Sequence, residues 1–178
     1  AAGTSLPPMI YIDISAAVHS KAGLGRYSER LAAALIARRP ERYALFYNRG
    51  SGAAEPAGLP AGVPRRSVRW GYKPWRMAVL LGQMTGVGFD RLVPGAELFH
   101  STEHLLFPLR GAPTVLTVHD LIFKRFPEYH KSLNYWYLNR AMPLYCRRAT
   151  AIVAVSEATK RDLVQFYGVD PAKVTVVY

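Results

Sequence analysis

Three short stretches hold the side chains with the greatest chemical reach. His119-Asp120 closes the apolar run Thr114-Val115-Leu116-Thr117-Val118. An imidazole at the end of a buried strand titrates where small shifts change its charge, and the carboxylate beside it either orients the ring or caps the following turn. Taken alone, the pair reads equally as a histidine satisfied by local backbone. His100-Ser101-Thr102-Glu103-His104 matches the H-x-x-E-H pattern of zinc peptidases letter for letter. That chemistry needs a helix to bring both histidines to one face. Here the stretch lies between an apolar run and Pro108, without helical periodicity, so no metal is expected. His100, Thr102, Glu103 and His104 are read instead as cleft or loop residues at a strand end. Gly23-Leu24-Gly25-Arg26-Tyr27-Ser28 imitates the start of a dinucleotide fingerprint, in which glycines let backbone N–H groups approach a phosphate at a helix N-terminus. Ser28 stands where a third glycine belongs, and the second strand ends in Tyr47-Asn48 rather than an acidic ribose binder, which disfavours a nicotinamide site. A plain tight turn and a diphosphate-contacting loop both remain open.

A fourth stretch interleaves Arg65, Arg66, Arg69, Lys73 and Arg76 with Trp70, Tyr72 and Trp75. Cations among aromatic rings suit stacking on single-stranded nucleic acid, docking on an anionic membrane, or a solvated basic face over a structural tryptophan. With no RNA-binding sheet signature or zinc-finger spacing, nucleic acid ranks last and is not expected as a partner.

These groups need strands and helices to hold them. Met9–Ser15, Ala44–Tyr47, Arg65–Trp70, Leu98–His100, Thr114–Val118, Ala151–Val155 and Val174–Val177 read as strands. Helical spacing recurs over Arg26–Arg39, where Pro40 stops it, over Pro74–Thr85 and over Lys131–Arg148. Ser156 is a suitable N-cap for a further helix to about Tyr167, with Gly168 as its stop. Ala16–Gly25 reads as a loop, and Asn48–Pro64, rich in Gly, Ala and Pro, as a loop or mobile flap. The alternation predicts an α/β, Rossmann-like, doubly wound and mainly parallel sheet with helices on both faces. Val115, Leu116, Val118, Ile152, Val153 and Val155 are expected to be buried. Ligands of such sheets bind outside the carboxyl ends of the strands, where His119 and Ser156 fall.

At 178 residues and half hydrophobic, the chain can bury one substantial core. Residues 1–8 read as a disordered or processing-derived tail and 9–178 as one domain. Lys and Arg number 23 against 12 Asp and Glu, a formal charge of +11, which favours anionic partners. The single cysteine, Cys146, excludes an intrachain disulfide, fits a reducing compartment and reads as a structural thiol. No run reaches the roughly 18 apolar residues of a membrane span. A cytoplasmic protein is expected, peripheral on the inner face of the membrane.

In order and spacing, Gly23-Leu24-Gly25-Arg26-Tyr27, Leu98-Phe99-His100, Thr117-Val118-His119-Asp120-Leu121, Val155-Ser156-Glu157-Ala158-Thr159-Lys160-Arg161-Asp162-Leu163 and Tyr167-Gly168-Val169-Asp170-Pro171-Ala172-Lys173-Val174 resemble the N-terminal domain of a family 4 retaining glycosyltransferase of the two-domain GT-B fold, mannosyltransferase-like. The resemblance implies metal-free transfer from a GDP- or UDP-linked sugar to a polysaccharide, lipopolysaccharide or lipid-linked acceptor. It implies that Gly23, Leu24, Gly25 and Arg26 meet the donor's diphosphate and that His119, with Asp120, faces the transferred sugar. His100, Thr102, Glu103 and Ser156 would line the acceptor side of the cleft. The basic aromatic segment would dock acceptor or membrane. The family's paired glutamates and phosphate-clamping basic residues belong to a C-terminal domain beyond Tyr178, so the chain is expected to end near an interdomain hinge and to be inactive alone. The competing expectations are another GT-B enzyme, such as a nucleotide-sugar epimerase, and a non-catalytic phospholigand or membrane-binding module.

Overall fold

The structure, a computed structural model, describes residues 8–20, 22–50 and 58–178. The expected tail at 1–8, apart from Pro8, and the centre of the expected flap, 51–57, lie outside the described residues.

Seven strands form one sheet: β1 (Met9–Asp13), β2 (Tyr43–Asn48), β3 (Arg65–Val68), β4 (Ala96–Ser101), β5 (Thr114–Val118), β6 (Ala151–Ala154) and β7 (Val174–Val176). Their order is β3-β2-β1-β4-β5-β6-β7, with every neighbouring pair parallel. Chain order reverses between β1 and β4, so the switch point opens at the carboxyl ends of those strands.

Helices α1 (Ser15–Val18), α2 (Ala22–Arg38), α3 (Tyr72–Thr85), α4 (Ile122–Arg125), α5 (Ser132–Arg148) and α6 (Glu157–Tyr167) carry the crossovers. Side chains alternate across a strand. In β1 and β2, Tyr11, Ala44 and Phe46 therefore join one core with Trp75, Val79, Leu138 and Met142 of α3 and α5. Ile12, Leu45 and Tyr47 join a second core with Ala32 and Ile36 of α2. Both faces of the sheet are covered, as the alternating pattern predicts.

Several local expectations need correction. Gly23 and Gly25 lie in the first turn of α2, which starts at Ala22 rather than Arg26. Two glycines depress helix propensity, yet Gly25 is buried with α1 against it: a Cβ there would sit 3.0 Å from the carbonyl oxygen of Ala16. Ser15–Val18 is a helical turn, not loop. Leu116, Val118 and Ile152 are buried, whereas Val115, Val153 and Val155 are half-buried. Val153 and Val155 lie across the pleat from the buried Ile152 and Ala154.

Candidate active site

The carboxyl end of β5 delivers His119 into a cluster of fixed partners. Its Nε2 lies 2.9 Å from the carbonyl oxygen of Thr102, and a carbonyl only accepts, so Nε2 carries the proton. The backbone N–H of His119 donates to Nε2 of His104 at 3.2 Å, which requires that nitrogen to be unprotonated. From α6, the Thr159 hydroxyl donates to the carbonyl oxygen of His119 at 3.0 Å. The Tyr27 ring meets the imidazole edge-on at 4.8 Å between centroids, and its hydroxyl lies 3.4 Å from Oγ1 of Thr117. Ring and backbone of His119 are thus held from three sides, by the β4 end, α2 and α6.

Asp120 does not orient that ring. Its Oδ1 accepts the Ile122 N–H at 3.1 Å, capping the start of α4, and the residue is exposed. Of the two roles open to Asp120, capping the following turn is the one seen, and the Thr102 carbonyl orients the ring. Thr102 is itself fully buried, its hydroxyl donating to the Asp13 carbonyl at 2.6 Å, so the side chain braces β1 against the β4 end instead of lining a cleft.

His100 and His104 lie at a strand end and the loop beyond it, facing different partners. His100 sits within β4, its Nε2 2.9 Å from Thr117 Oγ1. Burial lowers its pKa from 6.5 to about 4, so the ring is neutral at physiological pH. Among the described residues no three His, Cys, Asp or Glu side chains gather as a metal set. Ser156 caps α6, accepting the Thr159 N–H at 3.1 Å.

Alongside this cluster runs a cleft of about 200 Å³, lined by Leu24, Arg76, Glu103, His104, Asn134 and Leu138 among others. The glycine segment, the β4 end and helices α3 and α5 all reach it. Leu24 and Tyr27 place the start of α2 next to His104 and His119. With no acidic residue in its first turn and Arg26 exposed within it, this helix end favours an anion. The glycines do different work there. Gly25 is a packing residue, whereas nothing lies within 4 Å of a Cβ built on Gly23. Ser20 and Ala22 take left-handed φ angles of 51° and 24°, so backbone strain is concentrated where α2 begins.

The basic aromatic segment is divided by the fold. Trp75 is 3% exposed and packs among Phe46, Phe89 and Phe107, so it is core, not a docking residue. Arg76 is half-buried, its guanidinium 3.7 Å over the Tyr137 ring and bonded to Asn134 at 3.0 Å, so it serves the cleft wall. Arg65 donates to the backbone carbonyls of Val63 and Pro60. Arg66, Arg69, Trp70 and Lys73 remain exposed.

Sequence reasoning misses Tyr27, which fits the apolar face of a helix, and places His104 only as a cleft or loop residue without its contact to His119. No spacing rule signals a ring that meets His119 across the sheet.

Residues 22–178 match the model of Glycosyltransferase Family 4. The chain belongs to glycosyltransferase family 4. Its sheet and helices form one half of a GT-B fold. HepE of Anabaena, solved in complex with UDP, shares this fold at a TM-score of 0.52 and 16% identity. The match covers 96% of this chain and 43% of HepE, so the chain spans less than half of that protein. A search of curated protein sequences gives no match. Among the described residues no helix is long and apolar enough to cross a membrane.

Proposed function

We propose that this family 4 domain is the acceptor-side, N-terminal half of a retaining glycosyltransferase. It moves a hexose, mannose in the first instance, from a GDP- or UDP-linked donor to a polysaccharide, lipopolysaccharide or lipid-linked acceptor. A second Rossmann-like domain in cis supplies most donor contacts. The observation that carries the reading is the juxtaposition of the α2 N-terminus with His119 through Tyr27. An anion at that helix end and a sugar at the imidazole would lie side by side, as a sugar diphosphate requires.

In this reading the first-turn N–H groups of α2, with Arg26, stabilise charge on the departing diphosphate. His119 holds its Nε2 proton on Thr102, so Nδ1 is the nitrogen that acts as acceptor towards a sugar hydroxyl while the ring is neutral. Glu103 and His104 belong to the acceptor side. The exposed set Arg66, Arg69, Trp70 and Lys73 makes peripheral contact with an anionic membrane from the cytoplasmic side. The UDP bound by HepE supports the nucleotide-sugar part of this reading.

Incubating the protein that carries this domain with GDP-mannose or UDP-sugars tests the reading. Transfer with retained anomeric configuration is expected. An epimerised nucleotide sugar, or tight nucleotide binding without any transfer, would instead select an epimerase or a binding module.

A further inference from the structure

The strongest unexplained feature is a groove of about 580 Å³ between α3 and α5, lined by Lys73, Arg76, Met77, Lys131, Leu133 and Trp136 among others. Its size falls within the roughly 300–1,000 Å³ of small-molecule sites. Its apolar walls are solvent-exposed: Met77 is 40%, Leu133 64% and Trp136 46% exposed. Such side chains lining one concavity mark a binding surface more than isolated exposed residues do. Three cations stand along it, and its described lining includes no carboxylate.

The groove shares a wall with the polar cleft. Tyr72, Arg76 and Asn134 line both it and the polar cleft at His104. Arg76 stands at that junction, fixed by Asn134 and by stacking on Tyr137, whose hydroxyl donates to the Arg76 carbonyl. The buried Tyr137–Tyr145 hydroxyl contact of 2.5 Å anchors this wall within α5. The polar cleft at His104 and the apolar groove therefore meet at Arg76, while Lys73 and Lys131 line the groove alone.

We propose that the α3–α5 groove binds the hydrocarbon tail of a lipid-linked acceptor, with its phosphate held by Lys73, Arg76 and Lys131 and its sugar directed to the cleft at His104. The inference rests on the acceptor-side reading above and narrows the acceptor to a sugar linked through phosphate to a prenyl chain. The apolar walls select the chain, and the groove's cations select the anion at its head. A phosphate without a tail would gain only the cations, and a tail without a phosphate only the walls.

Calorimetry of the 178-residue chain with geranyl phosphate, a soluble single-chain probe, tests the groove directly. Saturable one-to-one binding is expected, with geraniol and inorganic phosphate each at least tenfold weaker. Met77→Asp combined with Leu133→Asp should weaken binding at least tenfold, and Lys131→Gln several-fold. Both apolar positions are exposed, so folding is kept, as circular dichroism would verify. Arg38→Gln, far along α2, should change nothing. Non-saturable binding, geraniol binding as tightly as the phosphate, or indifference to the groove variants would overturn the proposal. So would binding confined to acidic vesicles and lost in Arg66→Ala/Arg69→Ala, which would identify a membrane surface. Transfer to a soluble saccharide without geranyl phosphate binding would refute the groove alone. Lipid-phosphate binding without transfer would keep the groove and refute the enzyme.

Discussion

Two histidines within one stretch, alike in sequence context, are assigned different chemistry by burial and partners. His100 is neutral because desolvation holds its pKa near 4 against 6.5 when unfolded. Below pH 6.5 the unfolded chain takes up a proton that the folded chain refuses, so stability falls with pH until about 4. The full window corresponds to roughly 3 kcal/mol at about 1.36 kcal/mol per unit. Denaturant titrations between pH 7 and 4 should show this slope, and His100→Gln should flatten it. An unchanged slope would mean that His100 is not the group responsible. His104 works through its lone pair on the His119 N–H. His104→Phe removes that acceptor, so kcat should fall while circular dichroism stays native. His104→Gln, whose side-chain oxygen can accept in its place, should recover part of it. Cys146, with burial pushing its thiol up to about 12, should resist alkylation by iodoacetamide in the native protein.

At the scale of elements, the turn into α2 governs the site. Gly25 allows α1 and α2 to touch, and Gly25→Ala forces a Cβ to 3.0 Å from the Ala16 carbonyl. Overpacking of this kind costs about 1–3 kcal/mol. Gly23→Ala meets nothing within 4 Å and should leave stability unchanged or raise it by up to about 1 kcal/mol. Thermal melts of the two variants test this contrast, and equal effects would contradict the assigned packing role. The helix beginning at Ala22 was not legible because two glycines within four residues signal a loop when propensity is considered alone. Tertiary contact with α1 overrides that signal. By contrast, the β5–β6 region was legible: Ser156 caps α6 and Gly168 ends it in a left-handed conformation, as their residue types dictate. The basic aromatic segment was legible only in composition. A linear reading cannot separate Trp75, which faces the core one turn into α3, from Trp70, which lies outside it. The location of His119 could be read from the end of an apolar strand. Its partners Tyr27, His104 and Thr159 come from three other segments, and only the fold brings them together.

For the whole molecule, the parallel sheet gathers its polar strand ends on one edge, while the +11 charge draws anions towards the groove lined by Lys73, Arg76 and Lys131. Because most donor contacts are assigned to a second domain, the isolated chain should bind GDP- or UDP-sugars only weakly in calorimetry. A tight stoichiometric complex would favour a binding module. The exposed Arg66 and Arg69 predict that Arg66→Ala/Arg69→Ala weakens attachment to acidic vesicles by roughly tenfold or more, with each cation contributing about 1 kcal/mol. Added salt should act in the same direction. The central claim is that His119 serves sugar transfer from a nucleotide-activated donor, and the most direct test compares the native protein carrying this domain with its His119→Ala variant under saturating donor and acceptor. The account predicts retained-configuration transfer by the native protein and a loss of about 10²-fold or more in kcat for the variant, with a native circular dichroism spectrum. Native-level transfer by His119→Ala would contradict it.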